Sequence, residues 1–221
     1  SWWRTVVRER DDVAGLDAAI IMHPRVWEAS GHTESFQDPM VECKKCKGRW
    51  RADQLPETKC PTGGPHEYGE ARKFNLMFPT RVGPVEEASA VAYLRPETAQ
   101  AIFVQFRNVL EVSRQKIPFG IAQIGKAFRN EINPRNYTFR SREFEQMELE
   151  FFVKPGTDDQ WHAYWVEERM KWYVSIGLPE GRLHRLVYPR EELAHYATAC
   201  TDLLYDFPFG RQELEGIAAR G

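Results

Sequence analysis

The sequence predicts an α+β domain, because segments with strand periodicity and segments with helix periodicity occur along the same chain. Residues 125–153 alternate polar and apolar side chains with a period of two, which is typical of two extended strands joined by a loop. Residues 102–110 carry an apolar stripe at i, i+4 spacing, and residues 159–176 form a second helical segment that ends at Gly177. The 221 residues are sufficient to bury a substantial core.

The two predicted strands carry charges where a buried strand would carry aliphatic side chains. Arg129 and Glu131 are two residues apart, so they are expected to share one face of the first strand. Arg140, Phe144 and Glu148 are four residues apart and are expected to share a face of the second. This second face would span roughly 26 Å. The pattern therefore indicates a cleft for a nucleotide with a small second substrate beside it.

Composition limits the function classes that need to be considered. The net charge is −2, with 30 basic and 32 acidic residues, so bulk electrostatics do not predict nucleic-acid binding. No run of about 20 apolar residues occurs, and the N-terminal segment SWWRTVVRERDD lacks the apolar core of a signal peptide. The four cysteines, two of them in C-x-x-C, favour a reducing compartment and a metal over a disulfide scaffold. We therefore expect a cytoplasmic protein without a membrane segment.

The N-terminal residues predict a helix followed by a strand. Residues 2–10 have the pattern of an amphipathic helix without an N-cap, which predicts that upstream sequence has been lost. Residues 15–22 are apolar and extended in character, and this strand is expected to end at Pro24.

Residues 35–71 are polar, rich in Pro and Gly, and predict an insertion between core strands. Cys43 and Cys46 form C-x-x-C, which is one half of a zinc knuckle, and Cys60 supplies a third thiol. Three explanations remain for the fourth ligand: His66 substitutes for it, the site has decayed, or a residue is missing from the sequence. A structural role for such a metal is favoured over a catalytic one.

Two further segments carry predictions. Residues 191–199 are expected to form a helix, and residues 212–218 a strand with Glu213 and Glu215 on one face. Paired carboxylates of this kind suit magnesium bound to nucleotide phosphates. By contrast, residues 120–126 only approximate a P-loop, because Ala127 replaces the hydroxyl residue and no helix is expected to follow.

A six-position pattern, FRxE, loop, RxxxFxxxE, is complete in this chain at Phe128, Arg129, Glu131, Arg140, Phe144 and Glu148. In this pattern the sequence resembles motif 2 of the class II aminoacyl-tRNA synthetases. The segments LRPETAQAIF, IAQIGKAFRNE and QELEGIA are similar to the dimeric glycyl-tRNA synthetases of that class, and the resemblance extends along nearly the whole chain.

The resemblance implies a class II synthetase catalytic fold, with a mixed, mostly antiparallel sheet flanked by helices. The core would comprise residues 1–34 and 72–221, with the insertion at 35–71. The N-terminal helix and strand would be motif 1 and would form a homodimer interface. Motif 3 and the anticodon-binding domain do not follow in this sequence, so the isolated chain is expected to be weakly active or inactive.

The resemblance also implies ATP-dependent activation of glycine and transfer of the glycyl group to the 3′ end of tRNA(Gly). The catalytic residues would be Arg129, on the α-phosphate and the glycine carboxylate, and Arg140, on the γ-phosphate. Contacts to ATP would come from Arg129, Asn130, Glu131, Phe139, Arg140, Phe144, Glu213 and Leu214. Contacts to glycine would come from Arg51, Glu97, Phe144, Gln146 and Glu148. Glu213 and Glu215 would bind magnesium, and Cys43, Cys46 and Cys60 a structural zinc ion.

Two alternatives compete with this hypothesis. A non-catalytic paralogue would keep the fold and act as a tRNA-binding or regulatory subunit, but the intact motif 2 residues argue against it. A zinc-knuckle nucleic-acid-binding module would require a basic surface and a complete ligand set, and the sequence shows neither clearly.

Overall fold

The computed structural model describes residues 1–84 and 90–221, which form two compact units. The terminal unit consists of Ser1–Asp12, Gln115–Gly120 and Phe151–Gly221. The central unit consists of Val13–Arg114 and Ile121–Glu150. Among the described residues, no helix combines the length and apolarity required to span a membrane.

Within its described residues, the central unit contains three small sheets and three helices, with strand orders β1-β8-β9, β2-β7-β6 and β4-β3-β5. The first strands are β1 (Val13–Gly15), β2 (Ile21–Met22), β3 (Gln37–Glu42), β4 (Arg49–Arg51) and β5 (Arg72–Asn75). The later ones are β6 (Phe78–Arg81), β7 (Val91–Leu94), β8 (Phe119–Phe128) and β9 (Glu143–Phe152), of which β8 and β9 each extend two residues beyond this unit. The helices are α1 (Pro24–Ala29), α2 (His32–Ser35) and α3 (Ala99–Ser113).

The core of the central unit contains the apolar face of α3 and the middle of β8. Ile102 on the helix and Ile121 and Ala122 on the strand are completely buried. The helix predicted from the apolar stripe of residues 102–110 is confirmed. It begins at Ala99, so Glu97 precedes its first turn. The segment that approximates a P-loop lies within β8, as expected for a strand rather than a phosphate-binding turn.

The terminal unit packs one long helix with a three-stranded antiparallel sheet of order β10-β11-β12. The elements are a short π-helix (Arg4–Arg8), α4 (Asp158–Ser175), β10 (Leu183–Val187), β11 (Ala197–Phe207) and β12 (Gly210–Arg220). Asp158 and Asp159 lie in the first turn of α4, where the helix dipole favours negative charge. Trp165, Trp172 and Tyr173 are buried aromatic residues of this helix.

Two element predictions are wrong. Residues 191–199 are predicted to form a helix, but the structure has a 3-10 turn at Arg190–Glu192 instead. The strand β11 begins at Ala197, and this residue pairs with Arg220 near the end of β12. The alanines of this segment favour a helix locally, but strand pairing overrides that preference. The strand predicted for residues 15–22 is divided into β1 and β2, because these pair in different sheets.

The predicted α+β class with mostly antiparallel pairing is confirmed. The pairs β2–β7, β6–β7, β3–β4, β3–β5, β10–β11 and β11–β12 are all antiparallel. The predicted insertion contains β3 and β4, and its sheet is completed by β5. The boundaries at residues 35 and 71 stay a prediction.

Candidate functional site

Arg129 directly follows β8, and its guanidinium lies between two phenyl rings. The Cζ atom is 5.4 Å from the ring centre of Phe36 and 5.3 Å from that of Phe144. Its Nε donates to the carbonyl oxygen of Pro96 at 3.1 Å, and this is its only side-chain hydrogen bond within residues 1–84 and 90–221. The rings fix the plane of the cation while its terminal nitrogens remain available, so the arrangement suits an anionic ligand.

Two carboxylates lie near this cation, each held by its own neighbours. Gln100 donates from Nε2 to Glu97 Oε1 at 2.7 Å, and His32 Nε2 lies 3.5 Å from the same oxygen. Thr98 donates its hydroxyl to Glu148 Oε2 in a very short hydrogen bond. Glu97 and Glu148 are both partly buried, and both interact electrostatically with the Arg129 cation.

The two carboxyl groups differ in their affinity for a proton. Burial, together with the nearby negative charge of Glu97, raises the pKa of Glu148 to about 7. Burial also opposes ionisation of Glu97, but the contacts with His32 and Gln100 and the charge of Arg129 outweigh it, and its pKa is lowered. One carboxyl is thus ionised and the other titrates close to neutral pH. A ligand ammonium bound next to Glu148 would favour its ionised form, so the carboxyl would release its proton.

The loop between β8 and β9 is held by a buried carboxylate. Glu131 is 4% exposed, and Arg140 Nη1 lies 3.2 and 3.4 Å from its two oxygens. The Nε of Arg142 donates to the Glu131 carbonyl oxygen at 3.1 Å. The predicted shared faces are wrong for these residues: Arg129 and Glu131 lie beyond the end of β8, and Arg140 precedes β9. The loop therefore brings the charges together, whereas strand alternation was expected to do so.

The comparisons with known proteins agree with this geometry. Residues 84–213 match the family model described as tRNA synthetase class II core domain (G, H, P, S and T). The chain belongs to this family. It is 54% identical to a glycine–tRNA ligase of Treponema denticola over 225 residues, and 49% identical to those of Thermobifida fusca over 239 residues and Thermus thermophilus over 264. The matches cover 99 to 100% of this chain but 50 to 52% of the relatives. The chain thus spans about half the length of the curated relatives that it matches.

Three further predicted positions of this class II synthetase chain lie on or beside motif 2. Asn130 donates its backbone N–H to the carbonyl oxygen of Leu76 at 2.7 Å, which ties the start of the loop to the strand region before β6. Phe139 is an exposed loop residue. Gln146 lies between Phe144 and Glu148 on one face of β9, and its buried Oε1 accepts no hydrogen bond from the described residues. Of the three, Gln146 therefore has polar capacity left for a ligand.

Arg51, predicted to bind glycine, is paired with carboxylates of its own hairpin. Its Nε and Nη2 donate to Asp53 at 3.0 and 2.9 Å, and its Nη1 lies 3.1 Å from Asp38. This arrangement stabilises the β3–β4 hairpin. Nearby, Asn133 of the motif 2 loop donates to the carbonyl oxygen of Arg49 at 3.1 Å. The hairpin thus supports the loop, and the structure does not bring the Arg51 side chain to Glu97 or Glu148.

The predicted common face of Glu213 and Glu215 in β12 is wrong. A register shift aligns Glu215 with Leu203 and Glu213 with Leu204, so Leu214 is an extra residue and the two glutamates lie on opposite faces. Glu215 accepts from Arg169 at 2.8 and 3.0 Å.

The carboxylate that accompanies Glu213 is Asp202, opposite Gly216. A Cβ atom on Gly216 would lie 3.2 Å from Asp202 Oδ1 and 3.4 Å from Glu213 Oε1, so both carboxylates point to the side where the glycine leaves space. A β-bulge cannot be read from one sequence, and this explains the error.

The three predicted thiol ligands and one imidazole form a compact cluster. The ligand atoms of Cys43, Cys46, Cys60 and His66 all lie within 4.8 Å of one another. The Cys43 and Cys60 Sγ atoms are 4.0 Å apart, and Cys46 Sγ is 3.7 Å from His66 Nδ1. A tetrahedral zinc ion with its usual bond lengths would require about 3.8 Å between two sulfurs and about 3.6 Å between sulfur and nitrogen. The cluster fits zinc, and His66 occupies the position of the fourth ligand.

The residues that sequence reasoning missed surround the predicted ones. His32 and Phe36 belong to a segment assigned to the boundary of the insertion, and Thr98 and Gln100 to an ordinary helix start. Asn75 holds the backbone of α2 by donating to the carbonyl oxygens of His32 and Thr33 at 3.2 and 2.9 Å. The one signal was the closeness of Glu97, Thr98 and Gln100, three polar residues at the N-terminal end of α3.

Proposed function

We propose that this chain is the central part of a glycine–tRNA ligase catalytic domain. It would activate glycine with ATP to glycyl-adenylate and transfer the glycyl group to the 3′ end of tRNA(Gly). The observation that carries the proposal is the aromatic-clamped Arg129 cation beside the buried carboxylates Glu97 and Glu148. The relatives named glycine–tRNA ligase support it, although they are about twice as long.

The proposed reaction joins two anions, so the protein must supply positive charge and orientation. The glycine carboxylate attacks the α-phosphorus of ATP, and pyrophosphate leaves. Arg129 would hold the attacking carboxylate and the α-phosphate, because its planar fork binds two oxygens at once. Arg140 would meet the γ-phosphate, in exchange for its present contact with Glu131. Phe144 would stack on adenine.

The substrate ammonium is the main handle for an amino acid without a side chain. Glu97 and Glu148 would pair with it, and the uncommitted Oε1 of Gln146 would accept a further hydrogen bond. Larger amino acids would be excluded because a buried pocket of this kind has little room beside the ammonium. Exclusion by steric clash discriminates more strongly than the gain from one additional methylene, which is about 1–3 kcal/mol.

Magnesium would accompany ATP, as in phosphoryl-transfer sites generally. Glu213 and Asp202 would share the ion, because their carboxylates point to the same side of the sheet. Glu215 lies on the opposite face of β12, where it accepts from Arg169.

A structural zinc ion is proposed for Cys43, Cys46, Cys60 and His66. Although burial opposes ionisation of Cys43, hydrogen bonds from the backbone of Cys46 and from His66 contribute to lowering its pKa to about 5. The ion would close the β3–β4 hairpin and the segment up to β5, and it would have no role in the reaction. Two exposed lysines of this region are paired with acids, Lys45 with Glu67 and Lys47 with Glu42, which argues against a nucleic-acid-binding knuckle.

A homodimer through the motif 1 region and a cytoplasmic location complete the proposal. Both are supported by the resemblance to dimeric glycyl-tRNA synthetases, and the second also by four cysteines that are free thiols. Light scattering after size-exclusion chromatography tests the dimer: twice the chain mass is expected, and a monomer at all concentrations would contradict it.

Glycine-dependent ATP–pyrophosphate exchange tests the enzymatic proposal. It is measured on this chain and on a protein extended at both ends to the length of the relatives. Exchange in the longer protein that requires glycine, and that alanine or serine does not support, is the expected result. Absence of exchange in both proteins, with binding of tRNA retained, would instead favour the non-catalytic paralogue.

Metal analysis and cobalt substitution test the zinc site. One zinc ion per chain is expected, and the cobalt form should show the absorption bands of tetrahedral thiolate coordination. Cys46→Ser and His66→Ala should weaken metal binding, whereas Cys200→Ser, which removes a thiol outside the cluster, is the matched control. Equal metal affinity in all three variants would contradict the assignment.

A further inference from the structure

His32 lies behind one of the two proposed ammonium-binding carboxylates. Its Nε2 is 3.5 Å from Glu97 Oε1, and the imidazole is 11% exposed. This separation is longer than a standard hydrogen bond, so the interaction is mainly electrostatic in this structure. Gln100 binds the same oxygen. His32 and Gln100 therefore both restrain Oε1, which leaves the second oxygen of Glu97 for a ligand.

The orientation of the imidazole is determined by contacts on its other atoms. Its Nδ1 lies 2.8 Å from Ser30 Oγ. Its ring packs edge-on against the buried Trp27, with centroids 5.6 Å apart, and against Phe36 at 5.2 Å. When the Ser30 hydroxyl donates to Nδ1, the neutral ring carries its proton on Nε2 and directs it towards Glu97. The imidazolium form would present the same Nε2 proton.

We infer that His32 is a positioning residue, which holds the Glu97 carboxylate in the orientation that receives the substrate ammonium. The inference rests on the proposed function. Because Phe36 packs against both the His32 ring and the Arg129 guanidinium, α2 and the residue that follows it support both the ammonium end and the carboxylate end of the substrate. His32 itself touches neither reacting atom, so its effect must pass through Glu97.

Two substitutions separate this role from simple packing. The amide nitrogen of glutamine can occupy the place of Nε2, whereas that of asparagine reaches only the place of Nδ1. His32→Gln should therefore retain a donor to Glu97, and His32→Asn should lose it while it keeps a partner for Ser30. Both variants lose the ring between Trp27 and Phe36, so they are matched for the loss of packing.

The experiment is glycine-dependent ATP–pyrophosphate exchange in the extended protein, with separate KM values for glycine and ATP. His32→Asn should raise the KM for glycine about tenfold, as expected when a polar contact to a charged group is lost. His32→Gln should stay within roughly threefold of the parent protein. The KM for ATP and kcat should change little in both, because the contact acts on substrate binding.

A double-variant cycle tests whether the effect passes through Glu97. Once Glu97→Gln has removed the carboxylate, adding His32→Asn should cause no further rise in the KM for glycine. Equal impairment of His32→Gln and His32→Asn, or full additivity with Glu97→Gln, would overturn the positioning role while leaving the proposed function intact. Absence of glycine-dependent exchange in the parent protein would overturn both.

Discussion

Arg129 and Arg169 are both packed against aromatic rings, but they differ in what their guanidinium groups bind. Arg169 in the terminal unit is 5% exposed, its Cζ lies 4.3 Å from the ring centre of Trp172, and its Nε binds both oxygens of Glu215. Arg129 in the central unit lies between Phe36 and Phe144, but it donates only to a backbone carbonyl among the described residues.

The difference separates a structural cation from a binding cation. Burial of a charge is costly unless a counter-charge compensates it, and Glu215 provides that compensation for Arg169. For Arg129 the aromatic rings provide orientation, while Glu97 and Glu148 act on its charge without accepting a hydrogen bond from it among the described residues. A cation that is oriented by rings and has no carboxylate as a hydrogen-bond partner can receive an anion. Each prediction below tests one side of this contrast.

The largest expected effect is on the reaction. Arg129→Ala should lower glycine-dependent ATP–pyrophosphate exchange in the extended protein by about 10³-fold, because the charge on the α-phosphate is lost. Arg129→Lys keeps the charge but not the planar fork, and should remain impaired by about 10²-fold. The thermal unfolding midpoint should change little in either variant. A variant that keeps parental exchange would show that Arg129 is structural as well.

The second effect is on stability. Arg169→Ala should reduce the free energy of unfolding by about 3 kcal/mol, because the Glu215 carboxylate is left without its partner in a largely buried position. Denaturant unfolding measures this loss. Arg107→Ala on the exposed face of α3 is the control and should change stability by less than about 0.5 kcal/mol. Equal losses in the two variants would remove the contrast between the arginines.

The third effect depends on pH and concerns Glu148, a carboxyl near Arg129. The folded-state pKa of Glu148 is about 7, above the value of about 4.5 for a free glutamate, so the folded protein retains this proton as the pH rises. Its contribution to stability is therefore greatest below about pH 4.5 and is lost as the pH increases towards 7.

Glu148→Gln has no carboxyl group to deprotonate, so its stability should not fall as the pH rises towards 7. The variant should be more stable than the parent protein by about 2 kcal/mol at pH 8, with no gain at pH 4. In the same variant the KM for glycine should rise. Glu145→Gln, on the exposed face of β9, is the control and should change neither quantity. A gain in stability that does not depend on pH would contradict the assignment of the raised pKa.

The smallest effect concerns the aromatic clamp. Phe36→Leu removes one ring from Arg129 and should lower kcat/KM for glycine about fivefold, which corresponds to a cation–π contribution of about 1 kcal/mol. Phe103→Leu replaces a half-exposed ring of α3 and should leave kcat/KM unchanged. An effect of the same size in both variants would indicate a general loss of stability.

Residue types at short spacing carry the predictions for the site. The motif 2 pattern predicts Arg129, Arg140 and Glu148 as binding residues, and the C-x-x-C pair predicts a metal site, whose candidate ligand atoms lie close together in the structure. The same reasoning failed where it assumed an undisturbed period of two. Arg140 lies outside β9, and a bulge at Leu214 separates Glu213 from Glu215. Local alternation predicts a face only while the strand continues.

The amino-acid sequence by itself determined the family and the α+β class, because charged strand segments and helical stripes are properties of neighbouring residues. Only the tertiary structure decided which distant residues meet. It brings His66 to the three thiols, Phe36 to Arg129 and His32 to Glu97, and the last pair is 65 positions apart in the chain. It also decided the proton affinity of Glu148, since burial and the proximity of Glu97 arise only when the chain has folded.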